Sequence, residues 1–322
     1  MTLANLPRQR IAHLPTPVEP LPRLSQALGG PSIWVKRDDQ TGLAFGGNKT
    51  RKLEFLLADA RSLGAETLIT RGALQSNHCR QTAAAAARHG YACTLILAGE
   101  APSTITGNLL LDQLLGAEII FAGDEDPEQV LKQAFDRARE EGRRPYLIPY
   151  GGSSPTGASA YVAALEELLT EEAPFHRIVF ATSSGGTQAG MIVGAQALGL
   201  PTRIYGISVD KRADDLRPAI AALAHEIADL LRIDLALDSS DVLVDDRYLG
   251  GGYGVMGDPE VQAIRLFARH EGLLLDPVYT GRAAAGLIDL IHRGEIEPGE
   301  RILFWHTGGT PGLFAYADQL KN

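Results

Sequence analysis

The sequence predicts an α/β protein of open, mostly parallel sheets, because apolar strand-like segments alternate with helical patterns almost throughout. With 322 residues and 45% hydrophobic content, the chain can bury a large core and is long enough for two domains. Two glycine-rich points, Phe45-Gly46-Gly47 and Tyr150-Gly151-Gly152-Ser153-Ser154-Pro155, bracket about a hundred residues, the size of a small domain.

The strands expected from β-branched and aromatic runs cover residues 33–36, 67–70, 93–98, 118–121, 146–149, 177–182, 203–209 and 301–305. After the first of these and a polar turn comes Gly46-Gly47-Asn48-Lys49-Thr50-Arg51-Lys52-Leu53-Glu54, in which Leu53, Leu56, Leu57 and Ala60 recur at helical spacing. Lys49 therefore stands at a helix start, where free N–H groups and the positive dipole end favour a lowered amine pKa. A neutral amine is the form that makes a Schiff base. Taken alone, Lys49 also reads as one more solvated surface lysine.

The second strand leads into Gln75-Ser76-Asn77-His78-Cys79 and an alanine-rich helix, placing hydroxyl, amide and imidazole where a carboxylate can bind. As local structure, Ser76 or Asn77 is equally an ordinary N-cap. The strand at 177–182 leads into Ser183-Ser184-Gly185-Gly186-Thr187, which opens another helix and exposes successive N–H groups able to cradle a phosphate. The loop has neither the lysine of a P-loop nor the spacing of a dinucleotide fingerprint.

In the last third, Tyr253 lies in a glycine-rich turn, and Asp276-Pro277-Val278-Tyr279-Thr280-Gly281 precedes a helix expected near Arg282, with Thr280 as a plausible N-cap. His306 and Thr307 end the final strand, where Thr307 also reads as strand-end capping. The remaining histidines sit in helices or turns without evident partners. Two cysteines, Cys79 and Cys93, give neither a disulfide framework nor metal-ligand spacing, so no metal is expected. A net charge of −9 and a pI near 5.4 argue against nucleic-acid binding. No apolar run reaches membrane-spanning length and the first ten residues lack a signal-peptide core, so a cytoplasmic protein without membrane contact is expected.

Taken together, Lys36-Arg37-Asp38-Asp39, the segment 46–54, Gln75-Ser76-Asn77-His78, Ser184-Gly185-Gly186-Thr187, Gly251-Gly252-Tyr253-Gly254, Asp276 to Gly281 and His306-Thr307-Gly308-Gly309-Thr310 make the chain resemble a family. It is that of the fold-type II pyridoxal-phosphate enzymes, specifically D-cysteine desulfhydrase and 1-aminocyclopropane-1-carboxylate (ACC) deaminase. The resemblance spans nearly the whole chain and implies a tryptophan synthase β-like architecture. A large cofactor-binding domain (1–47 and 155–322) would carry a small inserted α/β domain (48–154), with the cofactor in the cleft between them.

The same resemblance implies a Schiff base from Lys49 to pyridoxal 5'-phosphate, with phosphate held by Ser184, Gly185, Gly186 and Thr187. Asn48 and Asn77 would also touch the cofactor, and Thr307 would lie near its pyridine nitrogen. Ser76, Asn77 and His78 would hold the substrate carboxylate, Lys49 would remove the α-proton, and Tyr279 or Tyr253 would serve the leaving group. Thr280 would touch substrate; ACC deaminases carry glutamate there, and the threonine counts against ring opening. A threonine at the pyridine nitrogen cannot keep it protonated as a carboxylate does, which favours elimination over transamination.

The function so implied is α,β-elimination from a small sulfur amino acid: D-cysteine desulfhydration, with L-cysteate sulfo-lyase activity as the alternative. ACC deaminase, a serine racemase or dehydratase, and a non-enzymatic regulator are more distant readings. The partner expected is a small amino acid, and the assembly a homodimer.

Overall fold

The computed structural model describes residues 3–172 and 174–321. Ten strands lie in two sheets: β1 (Val18–Pro20), β2 (Ser32–Lys36), β3 (Thr67–Ala73), β4 (Ala92–Ala98), β5 (Glu118–Phe121), β6 (Pro145–Leu147), β7 (Arg177–Thr182), β8 (Arg203–Ser208), β9 (Leu243–Asp245) and β10 (Arg301–Trp305). The larger sheet runs β1-β2-β10-β7-β8-β9, and the smaller β5-β4-β3-β6. Every pairing is parallel except β1 against β2.

Both faces of each central strand are buried, which explains its unbroken apolar sequence. In β10, Ile302 and Phe304 pack with Ala263, Phe267, Ala284 and Leu287, whereas Leu303 and Trp305 face Tyr161, Leu165 and Met191. In the smaller sheet, Leu68, Leu95 and Leu97 pack with Leu53, Leu57 and Ala83, while Ile69 and Ile96 face Val130, Leu131 and Ala138. Burying each such large side chain contributes about 1.5–3 kcal/mol. No helix of the described residues is long and apolar enough to cross a membrane.

Two strands were not anticipated. β1 and β9 are three-residue edge strands, too short for a period-2 pattern, and β1 ends in Pro20, which an edge tolerates. The helix expected near Arg282 begins at Thr280, with Tyr279 rather than Thr280 at its N-cap.

A buried charge network fixes where the larger sheet meets the lysine-bearing helix Asn48–Ser62. The Asp38 carboxylate accepts from Arg51 Nε and Nη2, Thr16 Oγ1, Tyr161 OH and Trp305 Nε1, at 2.7–3.1 Å. Arg51 also pairs with Glu167, which in turn pairs with Lys36. A buried charge left unpaired costs several kcal/mol, so these partners hold one another's positions. The Lys36-Arg37-Asp38-Asp39 motif is thus an anchor for the helix that presents Lys49. Close by, a Cβ added at Gly308 would lie 2.7 Å from Gly47 Cα. Two glycine loops therefore cross in contact directly beneath Lys49.

Candidate active site

One cleft gathers Asn48, Lys49, Ser76, Asn77, His78, Tyr150, Gly151, Thr182, Ser183, Ser184, Gly185, Thr187, Tyr279 and Thr307 in its wall. Ten of the residues expected from the sequence meet there: Asn48, Lys49, Ser76, Asn77, His78, Ser184, Gly185, Thr187, Tyr279 and Thr307. Asn48 and Lys49 start the helix after β2, the Ser76, Ser184 and Thr307 groups follow the C-terminal ends of β3, β7 and β10, where ligands gather in open α/β sheets, and Tyr279 sits in the turn between two helices.

Lys49 is the second residue of its helix, and its side chain is half-buried. Burial lowers its amine from the ordinary value to about 8. Among the described residues its Nζ has no hydrogen-bond or ion-pair partner, so the amine is available to a ligand. The backbone holds it in place: Asn48 N–H donates to Thr307 O at 3.0 Å, and Asn48 Nδ2 donates to Thr187 Oγ1 at 3.1 Å.

Opposite lies a polar cradle. Ser153 and Ser184 hydroxyls are 2.8 Å apart, Gly186 N–H donates to Ser153 Oγ at 3.2 Å, and Lys52 Nζ donates to Gly151 O at 3.1 Å. A Cβ at Gly151 would come within 2.4 Å of Ser184 Oγ, and one at Gly186 within 2.4 Å of Ser153 Oγ. Only glycine leaves room for this loop to close around an anion. Burial, then the neighbouring Lys49, pushes the Lys52 amine well below its usual range; an anion seated beside it would restore the charge. Unpartnered lysine, buried second lysine, glycine cradle and two helix starts together fit a phosphorylated aldehyde.

Ser76 is the N-cap of the helix Asn77–His89, its Oγ accepting from Cys79 N–H at 3.1 Å. It both caps and lines the cleft. The first-turn N–H groups of Asn77 and His78 have no intrahelical partner, as at any helix start. The His78 ring behaves differently from the carboxylate contact expected of it. Thr70 Oγ1 donates its only proton to Ile148 O at 2.8 Å, so at 2.9 Å it accepts from His78 Nε2–H. Burial, with Lys49 and Lys52 near, keeps the imidazole neutral. Its Nδ1 is then a buried lone-pair acceptor without a partner. A lone pair repels a carboxylate, so His78 offers an anion its backbone N–H and not its ring.

Three expected residues stand outside the cleft wall. Gly186 lies behind it, bonded to Ser153. Tyr253 supports it, its OH 2.6 Å from that of Tyr279. Thr280 is fully buried: its Oγ1 donates to Asp276 Oδ1 at 2.7 Å and accepts from Asp276 N–H at 2.8 Å. The expected substrate contact of Thr280 is therefore not made here, because the Asp276 carboxylate also takes the N–H groups of Val278, Tyr279 and Thr280 and closes the turn on itself. That turn fixes Tyr279. Burial holds the phenols of Tyr253 and Tyr279 well above their usual range, so both stay protonated.

The sequence reading assigned no site role to Lys52, Tyr150, Ser153 or Thr182, and named Ser183 only as the first residue of the loop expected to cradle a phosphate. Lys52 carried a signal, since three residues after Lys49 it shares a helix face. Tyr150 and Ser153 were legible only as part of a glycine-rich turn. Among the described residues, no group of histidine, cysteine and carboxylate side chains could hold a metal.

The family model described as pyridoxal-phosphate dependent enzyme matches residues 10–308. A D-cysteine desulfhydrase of Yersinia enterocolitica is 43% identical over 327 residues, covering 99% of this chain and 98% of that protein. An ACC deaminase of Burkholderia vietnamiensis is 40% identical over 337 residues, covering 100% of both. A solved ACC deaminase homologue superposes with a TM-score of 0.91 at 42% identity, covering 99% of this chain and 96% of that one. The processed form of threonine deaminase isoform 2 from Solanum lycopersicum shares the fold, with a TM-score of 0.68 at 18% identity over 95% of this chain and 82% of that one. With an unpartnered lysine amine and a glycine-rich polar loop in one cleft, the chain belongs to the pyridoxal-phosphate-dependent enzymes of fold type II, and its cofactor is pyridoxal phosphate.

Proposed function

We propose that this enzyme eliminates sulfide from D-cysteine, giving pyruvate, ammonia and hydrogen sulfide, with the Lys49 cleft as its catalytic centre. The observation that carries the reading is the convergence of an unpartnered amine, a carboxylate-sized helix start and a protonated tyrosine in one cleft. Such a cleft suits proton removal at Cα and proton delivery to the sulfur leaving Cβ.

Bound pyridoxal phosphate supplies the electron sink for charge developing at Cα. In the proposed roles, Lys52, Ser153, Ser184, Gly185, Gly186 and Thr187 hold its phosphate, and Asn48 and Asn77 flank it. The N–H groups of Asn77 and His78, with the Ser76 hydroxyl, bind the substrate carboxylate. Lys49 Nζ, which burial lowers to about 8 so that a large share is neutral at that pH, takes the Cα proton. The Cβ–S bond breaks with its electrons leaving on sulfur, and Tyr279 delivers the proton there. Water hydrolyses the remaining three-carbon enamine to pyruvate and ammonia. Thr307, proposed to face the pyridine nitrogen, brings a hydroxyl in place of a carboxylate, which suits a leaving group that takes the electrons promptly.

The division into 1–47 with 155–322 and 48–154, a homodimeric assembly and a cytoplasmic setting belong to the same proposal. Limited proteolysis and sedimentation check the first two, and fractionation of the native cell the third. The substrate is tested by incubating holoenzyme with D-cysteine, L-cysteine, β-chloro-D-alanine, L-cysteate, D-serine and ACC, measuring keto acid, sulfide and sulfite separately. Pyruvate with sulfide from D-cysteine is expected. Preferred sulfite release from L-cysteate would replace the desulfhydrase reading with a sulfo-lyase one, and efficient 2-oxobutanoate formation from ACC would overturn both.

A further inference from the structure

We infer that Arg80, which does not line the cleft, is a positioning residue that sets both the Lys49 loop and the direction in which the Asn77 amide faces. The inference rests on Lys49 as the cofactor lysine and is independent of which sulfur substrate is used.

Residues 42–47 all have positive φ, including the non-glycine residues Leu43 (47°), Ala44 (51°) and Phe45 (69°). L-residues avoid this region, and such strain persists only where surrounding contacts over-determine the backbone. Thr41 and Asp38 hold Gly47 from within the same segment, and the contact from far along the chain is Arg80, a fully buried side chain on the helix Asn77–His89. Its Nη1 donates to Ala44 O at 2.5 Å and to Gly46 O at 2.8 Å. Lys49 follows three residues after Gly46. The loop that aims the lysine is thus tied to the smaller sheet's helix through one guanidinium.

The other side of the same guanidinium acts on Asn77. Arginine has donors only, so the Arg80 Nε contact at 3.1 Å makes the partner atom of Asn108 its carbonyl oxygen. Asn108 must then present its NH₂ elsewhere, and Nδ2 donates to Gln75 O at 2.9 Å and to Asn77 Oδ1 at 2.8 Å. With its oxygen engaged, Asn77 turns its own NH₂ donors outward. Asn77 lines the cleft beside Lys49. A reversed Asn108 would place an acceptor against an acceptor, so the donor-only character of Arg80 propagates through two amides to the cleft. Burial lowers the guanidinium to about 10, with nearby Asp112 opposing the shift, so at neutral pH it keeps its charge.

Two variants test this. Arg80→Lys keeps the charge but cannot reach two carbonyls and an amide together. Asn108→Asp still accepts from Arg80, yet cannot donate to Asn77 Oδ1, which frees that amide to flip. Each is purified with cofactor, and four quantities are compared with wild type: the visible band before and after borohydride, kcat, KM and the melting temperature. For Arg80→Lys the expected result is a shifted or broadened band, with kcat lowered about 10- to 100-fold, as small misplacements of reacting groups produce. For Asn108→Asp a band change with lowered kcat is expected, together with some loss of melting temperature because the carboxylate faces Gln75 O and Asn77 Oδ1. A lowered melting temperature accompanied by wild-type band, kcat and KM in both variants would overturn the inference and leave Arg80 a packing residue. Should Arg80→Lys not fold, Asn108→Asp alone decides, since wild-type spectra and kinetics there contradict the directional chain. Borohydride labelling of wild type at a lysine other than Lys49 would refute the cofactor assignment separately.

Discussion

The hydroxyls of Tyr253 and Tyr279 lie 2.6 Å apart, and of the two only Tyr279 reaches the cleft wall. A hydrogen bond that short between two protonated phenols uses one proton and leaves the other free. Either hydroxyl can be the donor; in the proposed mechanism Tyr253 donates during turnover, so that the Tyr279 proton is the one offered to the cleft. Because only Tyr279 lines the cleft, the proposed roles are Tyr279 as proton deliverer and Tyr253 as its support, two residues the sequence alone left equivalent.

Replacing Tyr279 with phenylalanine is accordingly expected to lower kcat by about 10²- to 10⁴-fold, the usual contribution of a general acid, with the visible cofactor band intact. Tyr253→Phe should cost less, because it removes only the partner that orients the first hydroxyl. Steady-state kinetics of the two holoenzymes check the order. A larger loss in Tyr253→Phe than in Tyr279→Phe would reverse the roles.

Ser76 has two duties that separate in one variant. Ser76→Ala removes an N-cap, costing about 1 kcal/mol of stability, and removes a hydroxyl from the cleft. Denaturant unfolding reads the first and turnover the second. The expected result is both the stability loss and a fall in turnover of about 10²-fold or more. Stability loss with wild-type turnover would reduce Ser76 to a cap.

The architecture was legible where chemistry and periodicity agreed. β10 reads as a buried parallel strand because Ile302, Leu303, Phe304 and Trp305 are all apolar and both of its faces are covered. Most of the cleft residues were legible because they follow a strand and open a helix or loop, and Tyr279 because it opens a helix after a proline turn. What sequence did not reveal depends on side-chain partners that periodicity and spacing do not encode. Thr280 looks like a helix-start hydroxyl near a site, and only its bonds to Asp276 withdraw it from the cleft. His78 looks like a donor until Thr70 and Ile148, eight and seventy-eight residues from their partners, fix its tautomer. Lys52 looks solvated, but folding buries it against Gly151.

Lys49 gives a pH signature whose sign is fixed. Burial places its folded value, about 8, below the ordinary 10.5, so between those values the folded apoprotein binds fewer protons than the unfolded chain. Apoprotein stability gains from this group as pH rises through that window. The rate of cofactor reconstitution, which needs the neutral amine, should climb through about pH 8 and level off above it. Stopped-flow absorbance on apoprotein follows the rate. A profile that instead keeps rising to the ordinary lysine range would show that the amine is not perturbed.

The most direct test of the account is to reduce the holoenzyme with borohydride, digest it and locate the modified lysine by mass spectrometry. Lys49 and Lys52 both lie in the helix Asn48–Ser62, and burial lowers both amines, but only Lys49 lines the cleft without a bonding partner. The predicted result is loss of the visible band with the reduced pyridoxyl adduct on Lys49. An adduct on Lys52 or Lys36 would contradict the assignment of the cleft and, with it, the catalytic roles drawn from it.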